Sequence, residues 1–185
     1  MNFIMTEQDI LNLIQKDEWM MKVLQIAEKQ NLKDWVIGAG FVRNKIWDYL
    51  HDFQKEKVDT PDIDLVYFDP SGNNMEEDEA MSEKLKQETT INWEIVNEAY
   101  AHVWNHTEPY SSTEDALSKW TETATGIGVR LKNDKLILMA PHGISDLVNL
   151  IVRPSPNFPG CLPLVKKRIK EKKWLEKWPK LKIIE

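Results

Sequence analysis

The sequence predicts an α+β fold in which a mixed sheet is flanked by helices. Three observations lead there. Short apolar runs such as Ile63-Asp64-Leu65-Val66-Tyr67-Phe68 read as strands. Between them, apolar residues recur at helical spacing. The two kinds of segment are interspersed without strict alternation, which favours a mixed sheet over a regular βαβ repeat.

Taken in order, 6–30 reads as two short helices, with Ile10, Leu11, Ile14 and then Met20, Val23, Leu24, Ala27 forming the apolar stripes. Asp34-Trp35-Val36-Ile37 is a strand that runs into the turn Gly38-Ala39-Gly40. Residues 41–51 form a helix with Val42, Ile46, Tyr49 and Leu50 on one face. Residues 63–68 are a strand that stops at Asp69-Pro70-Ser71-Gly72, a strong turn signal. A charged helix follows over 76–88, then a strand over 91–96 and a loop over 105–110. Ser112 or Thr113 caps a short helix that ends near Trp120. Residues 127–131 and 136–139 flank Asn133-Asp134 as a hairpin without the usual glycine. Pro141-His142-Gly143 leads into a helix ending near Ile151. Pro154, Pro156, Pro159 and Pro163 mark an irregular stretch before a final helix. With 185 residues the expectation is one domain: N-terminal helices over 1–30, a core over 31–152, and a proline-rich segment with a basic helix over 153–185.

Composition narrows the function classes. Hydrophobic residues make up 42% of the chain and charged residues 29%, which argues for a packed globule rather than disorder. No run approaches the ~20 apolar residues of a membrane span. The N-terminal segment acquires acids too early for a signal peptide, so a cytoplasmic location and no membrane partner are expected. A single cysteine, Cys161, rules out an intrachain disulfide and a CxxC zinc site. The net charge of −6 is uneven. Residues 164–185 hold nine Lys/Arg against three Glu, so the rest of the chain is strongly acidic. That basic tail is either a solvated helix face or a patch directed at nucleotide or nucleic-acid phosphate.

The chemistry centres on Asp62-Ile63-Asp64 at the start of a strand. Side chains two apart share a face, so both carboxylates project together. Two neighbouring carboxylates repel unless a cation neutralises them. Mg²⁺ (or Mn²⁺) suits such oxygen ligands, commonly alongside substrate phosphates. Glu94, between Trp93 and Ile95 on the next strand, is the candidate third carboxylate. A D-x-D alone is also what two solvated acids at a strand end look like. The turn at Gly38 and Gly40 adds weight, because backbone N–H groups opening a helix can cradle phosphate. The turn is neither a Rossmann fingerprint, since Arg43 stands at the third glycine position, nor a Walker A loop.

Ala39-Gly40-Phe41-Val42-Arg43-Asn44 followed by Asp62-Ile63-Asp64-Leu65 resembles the Gly-Gly-x-Val-Arg-Asp and Asp-x-Asp pair in the head domain of CCA-adding enzymes and bacterial poly(A) polymerases, within the polymerase-β superfamily. A fuller resemblance spans nearly the whole chain. Trp93-Glu94-Ile95-Val96-Asn97, Ala99, His102, Tyr110, Thr123-Ala124-Thr125, Val129-Arg130-Leu131, Ala140-Pro141-His142-Gly143, Asp146-Leu147 and Trp174 through Trp178-Pro179 look like a bacterial family of small nucleotidyltransferases. The resemblance implies the nucleotidyltransferase fold, Mg²⁺ and a nucleoside triphosphate substrate. It implies that Asp62, Asp64 and Glu94 are the catalytic metal ligands and that Gly38, Gly40, Arg43 and Asn44 form the nucleotide-binding turn, in which Arg43 either pairs with phosphate or holds the turn. Asn44 and Ala39 depart from the tRNA enzymes' Asp and first Gly. Glu98-Ala99-Tyr100-Ala101-His102 replaces an expected Gln-Ala-Arg-Met-His, with the loss of a basic residue. The chain ends before a neck, body and tail for tRNA, so CCA addition itself is not expected.

Other residues have plainer readings. His102 and His106 could share a helix face but lack further zinc ligands; His102 could instead orient a group at the site edge. Asp146 reads as a cap or salt-bridge partner, and Arg130 as a surface ion pair. Thr121, Thr123 and Thr125 could face the nucleotide, and Trp93 or Trp104 could stack on a base. Three function classes follow: a metal-dependent nucleotidyltransferase with an unknown hydroxyl acceptor, an inactive nucleotide-binding module, and a nucleic-acid or protein adaptor acting through Lys166 to Lys182.

Overall fold

The computed structural model describes residues 5–53, 58–72, 74–105 and 107–185. Two amphipathic helices begin it, α1 (Glu7–Gln15) and α2 (Glu18–Glu28). Thr6 and Asp9 form a reciprocal capping box on α1, and the Asp17 carboxylate accepts from the Met20 N–H to start α2. Next come β1 (Val36–Gly38), α3 (Gly40–Leu50), β2 (Ile63–Tyr67), α4 (Met75–Thr89), β3 (Trp93–Asn97), α5 (Glu98–Asn105) and α6 (Thr113–Ser118). The chain closes with β4 (Gly128–Lys132), β5 (Lys135–Met139), α7 (Ser145–Val148), β6 (Ile151–Val152), α8 (Leu162–Glu171), α9 (Trp174–Lys177) and β7 (Lys182–Ile183). No helix among the described residues is long and apolar enough to cross a membrane.

Five strands form one sheet in the order β3-β2-β1-β4-β5. It is mixed: β2 and β3 run parallel, while β1 pairs antiparallel with both β2 and β4, and β4 with β5. Strand alternation divides its two faces. Ile37, Ile63, Leu65, Tyr67, Trp93, Ile95, Val129 and Leu131 join the main core with α1, α2, α3 and the C-terminal segment. Val36, Val66 and Leu117 make a smaller cluster. The charged α4 docks through two buried residues. Leu85 packs in the core, and Asp78 accepts from the Tyr67 hydroxyl at 2.6 Å and the Asn97 N–H at 2.7 Å. A buried carboxylate is tolerated here because its oxygens are hydrogen-bonded.

The structure departs from the sequence reading in three places. Helix α5 follows β3 with no linker, over a stretch to which the sequence reading gives no element, and Glu98 is buried at its first residue. The helix expected to reach Ile151 ends at Val148, because Leu150 adopts a left-handed φ of 59° and Ile151–Val152 then pairs with Lys182–Ile183 as a second, two-stranded sheet. The single final helix is broken in two at Lys173, whose φ of 53° turns the chain back. The hairpin held despite its missing glycine: Asn133 and Asp134 supply φ values of 51° and 60°, which Asn and Asp tolerate better than most residues.

Candidate active site

The turn between β1 and α3 starts the site. Ala39 holds a φ of 48° with ψ −121°, a strained conformation for a residue with a Cβ, and its N–H donates to the Ile127 carbonyl at 3.1 Å. Gly40 then opens α3 against the loop that precedes β2. A Cβ on Gly40 would fall 2.7 Å from Thr60 Oγ1. That hydroxyl donates to the Asp62 carbonyl at 2.9 Å, and the Asn44 amide donates to the Asp59 carbonyl at 2.6 Å. The turn therefore fixes the backbone that presents Asp62. Gly40→Ala is expected to cost about 1–3 kcal/mol by overpacking. Thr60→Ala in the same background should recover part of that in a double-mutant cycle of urea unfolding. Additive losses would show that the two residues do not clash.

Asp64 lies one residue into β2 and is in register with Glu94 of the parallel β3. Together with Asp62 they line a cavity of about 890 Å³, which also takes in Ala39, Gly40, Arg43 and Asn44. The carboxylates repel one another. Burial pushes the Asp64 carboxyl up to about 7, with Asp62 and Glu94 adding to the rise and Arg43 and Lys172 opposing it. Glu94 is raised as well, through burial and Asp62. Glu98, buried at the start of α5, is pushed up to about 7 by burial and, to a lesser degree, by Asp64, while the Trp120 indole pulls it back. An uncompensated cluster of oxygen ligands of this kind fits a hard divalent cation. Among the described residues no three His, Cys, Asp or Glu side chains converge tightly enough to hold an ion by themselves. Mg²⁺, which commonly takes one or two carboxylates plus substrate phosphates, asks for less than that.

Arg43 is 3% exposed. Its Nε donates to Asn44 Oδ1 at 3.1 Å and its Nη1 to Thr125 Oγ1 at 2.6 Å, and its guanidinium lies 4.5 Å from the Trp174 ring centroid and 5.0 Å from that of Trp47. Burial lowers its pKa to about 10, against the pull of Glu122. Gly38 is outside the cavity lining: a Cβ there would meet the Trp120 ring at 2.7 Å, so this glycine serves packing.

The opposite wall comes from the C-terminal segment. Arg168, Lys172, Lys173 and Lys177 line the cavity, and Lys119 joins them from the end of α6. Among the described residues the lining has six basic and five acidic side chains, a near balance in a chain of net charge −6. Sequence periodicity does not reveal this wall; only the charge asymmetry of the tail hinted at it. Arg168 is anchored by the fully buried Glu122 at 2.8 Å, and Lys177 pairs with Asp59 at 3.1 Å. Glu122 also went unremarked in the sequence, where Thr-Glu-Thr looks like exposed polar chain.

The remaining expectations divide. Thr121 and Thr125 line the cavity, but Thr123 donates to Asp146 at 2.7 Å. Asp146 also pairs with Arg153 at 2.9 Å, and Arg130 with Asp34 at 3.3 Å, as structural partners. Trp93 is not a stacking platform: it is 4% exposed and its indole donates to Thr89 Oγ1. His102 packs edge-on to Tyr110, away from the lining. His106 and the Trp104 side chain lie outside the described residues.

A family model described as a nucleotidyltransferase matches residues 25–183. Among solved structures, a protein whose NMR structure reveals a CCA-adding enzyme head domain is similar over 99% of this chain and 98% of its own, at 36% identity and a TM-score of 0.86. A CCA-adding enzyme in complex with CTP shares the fold at 17% identity and a TM-score of 0.59, over 95% of this chain and 43% of its own. The Thermotoga maritima CCA-adding enzyme complexed with tRNA is similar at 15% identity and 0.58, over 95% and 42%. The chain thus spans less than half the length of the latter two. No curated protein matches it.

Proposed function

Since the chain belongs to this nucleotidyltransferase family, we propose that it binds a nucleoside triphosphate with Mg²⁺ or Mn²⁺ and transfers the nucleotidyl group to a hydroxyl acceptor. The observation that carries the reading is the cross-strand register of Asp64 with Glu94, beside Asp62, in one cavity with the β1–α3 turn. The CTP in one CCA-adding enzyme of this fold supports a triphosphate donor.

Asp62, Asp64 and Glu94 would hold the metal, which when bound supplies charge neutralisation at the phosphates and a more nucleophilic acceptor oxygen. Thr60 and Asn44 keep the backbone around Asp62 in place, and Arg43 acts through the packing of α3 against α9 rather than as a mobile phosphate ligand. The acceptor oxygen forms a bond to the α-phosphorus as the bond to the β-bridging oxygen breaks. Pyrophosphate leaves and the hydroxyl proton passes to solvent. Proximity within the walled cavity supplies much of the gain expected over solution.

One observation favours a second reading, a module that binds nucleotide without turning it over. Ala39 and Asn44 stand where the tRNA enzymes' turn has Gly and Asp, and Glu98-Ala99-Tyr100-Ala101-His102 lacks the expected basic residue. Titrating Mg²⁺ and each of the four ribonucleoside triphosphates by NMR, with pyrophosphate release followed in parallel, separates the two. Metal-dependent shifts at 38–44 and 62–64 together with pyrophosphate support the enzyme. Shifts without pyrophosphate support the module. Shifts that persist in an Asp62→Asn, Asp64→Asn variant would refute this site in both.

A further inference from the structure

The turn that heads α3 has few side chains left for a polyphosphate. Arg43 is buried against two tryptophan rings, with its Nε and Nη1 already donating to Asn44 and Thr125, and the Asn44 amide donates to the Asp59 carbonyl. A triphosphate with its metal still carries excess negative charge, and its β- and γ-phosphates need mobile cationic donors. Such donors stand on the opposite wall, where the left-handed turn at Lys173 points the junction of α8 and α9 back at the cavity.

We propose, resting on the nucleotide-binding reading above, that Lys172, with Lys173 beside it, binds the β- and γ-phosphates of the nucleoside triphosphate and selects triphosphates over monophosphates. Lys172 is exposed, lines the cavity and makes no ion pair among the described residues. The other wall cations are engaged: Arg168 with Glu122, Lys177 with Asp59, Lys119 with Asp115 at 2.8 Å, and Lys173 more loosely with Glu176 at 3.8 Å. Lys172 shares the cavity lining with Asp62, Asp64 and Glu94, so a metal-bound polyphosphate held by those carboxylates would lie in the same cavity as its ammonium group. The wall is held firmly enough to serve. Arg168 is tied to the fully buried Glu122, and Trp174 and Trp178 are each 1% exposed in the core. The selective element on this reading is the C-terminal segment, and leaving pyrophosphate would depart along the same lysines.

The test compares Mg²⁺-dependent binding of each nucleoside triphosphate and its monophosphate to the full chain, Lys172→Met and Lys170→Met. Lys170 is an exposed neighbour outside the lining and controls for the loss of one positive charge. The expected result is a native preference for the triphosphate. Lys172→Met should then weaken triphosphate binding roughly tenfold, with monophosphate binding changed less than about twofold and Lys170→Met unchanged in both. Because Lys172 is exposed, its loss should leave the thermal midpoint unmoved, which a melting curve checks. An unchanged triphosphate-to-monophosphate ratio in Lys172→Met, or an equal drop in Lys170→Met, overturns the assignment to Lys172. If the native chain binds no triphosphate, the nucleotide-binding reading fails and this one falls with it.

Discussion

Asp64→Asn should abolish most turnover and at the same time stabilise the metal-free protein at alkaline pH. The loss in rate is expected to be about 10²–10³, the scale seen when one group that stabilises transition-state charge is removed. The stability gain follows from linkage. The Asp64 carboxyl titrates near 7 in the folded chain, against about 3.9 for an unfolded aspartate. Between those values the native state keeps a proton that the unfolded state has lost. Stability is therefore fully present below about pH 4, falls as pH rises, and levels off above about 7. Asparagine cannot ionise, so the variant should outlast the native protein in urea at pH 8, with the gap closing by pH 4.5. Part of the native slope should survive in the variant, because Glu94 and Glu98 are raised too. Mg²⁺ added at pH 8 should stabilise the native chain and leave the variant largely unaffected, since binding only to the folded state raises its stability. An Asp64→Asn protein with normal turnover would sink the mechanism. One less stable than the native chain at pH 8 would contradict the charge repulsion inferred for the site.

Trp174→Ala is expected to be the most destabilising substitution in the C-terminal segment, at about 3–5 kcal/mol. The ring is 1% exposed, meets Trp47 edge-on with centroids 5.4 Å apart, and lies between the Arg43 and Arg168 guanidinium groups at 4.5 and 5.9 Å. Helix α9 has only four residues and cannot hold itself together. Its position depends on Trp174 and on Trp178, whose indole donates to the buried Asp48 carboxylate at 2.7 Å. Removing the Trp174 ring leaves a cavity and frees the buried Arg43 on one face. Urea unfolding followed by circular dichroism measures the loss, and hydrogen exchange over 162–178 should rise well before global unfolding. Trp174→Phe should retain part of the stability. A loss below about 1 kcal/mol in the alanine variant would mean that the ring is not a main anchor of the wall.

The elements that the sequence marked clearly are those with strong local signals. Asp69-Pro70-Ser71-Gly72 ends β2, and Asn133-Asp134 makes the hairpin turn, because each sets its own backbone through side-chain hydrogen bonds or tolerated left-handed φ. Asp62 and Asp64 were also legible, since a two-residue period fixes their shared face in any strand. Glu94 could be named, but its pairing with Asp64 depends on the register of two strands separated by α4. Tertiary packing alone decided the rest. Arg43 and Gly38 belong to the same turn, but that the Arg43 guanidinium lies against Trp47 and Trp174 while lining the cavity, and that Gly38 abuts Trp120 outside it, depends on tertiary packing. The lysines at 172, 173 and 177 read either as a solvated helix face or as a phosphate-directed patch, and they form one wall of the cavity because the turn at Lys173 and the buried Glu122–Arg168 pair fold the tail back. Local propensity and short periods are written along the chain. Which distant segments share a cavity depends on how buried side chains more than a hundred residues apart fill the same space.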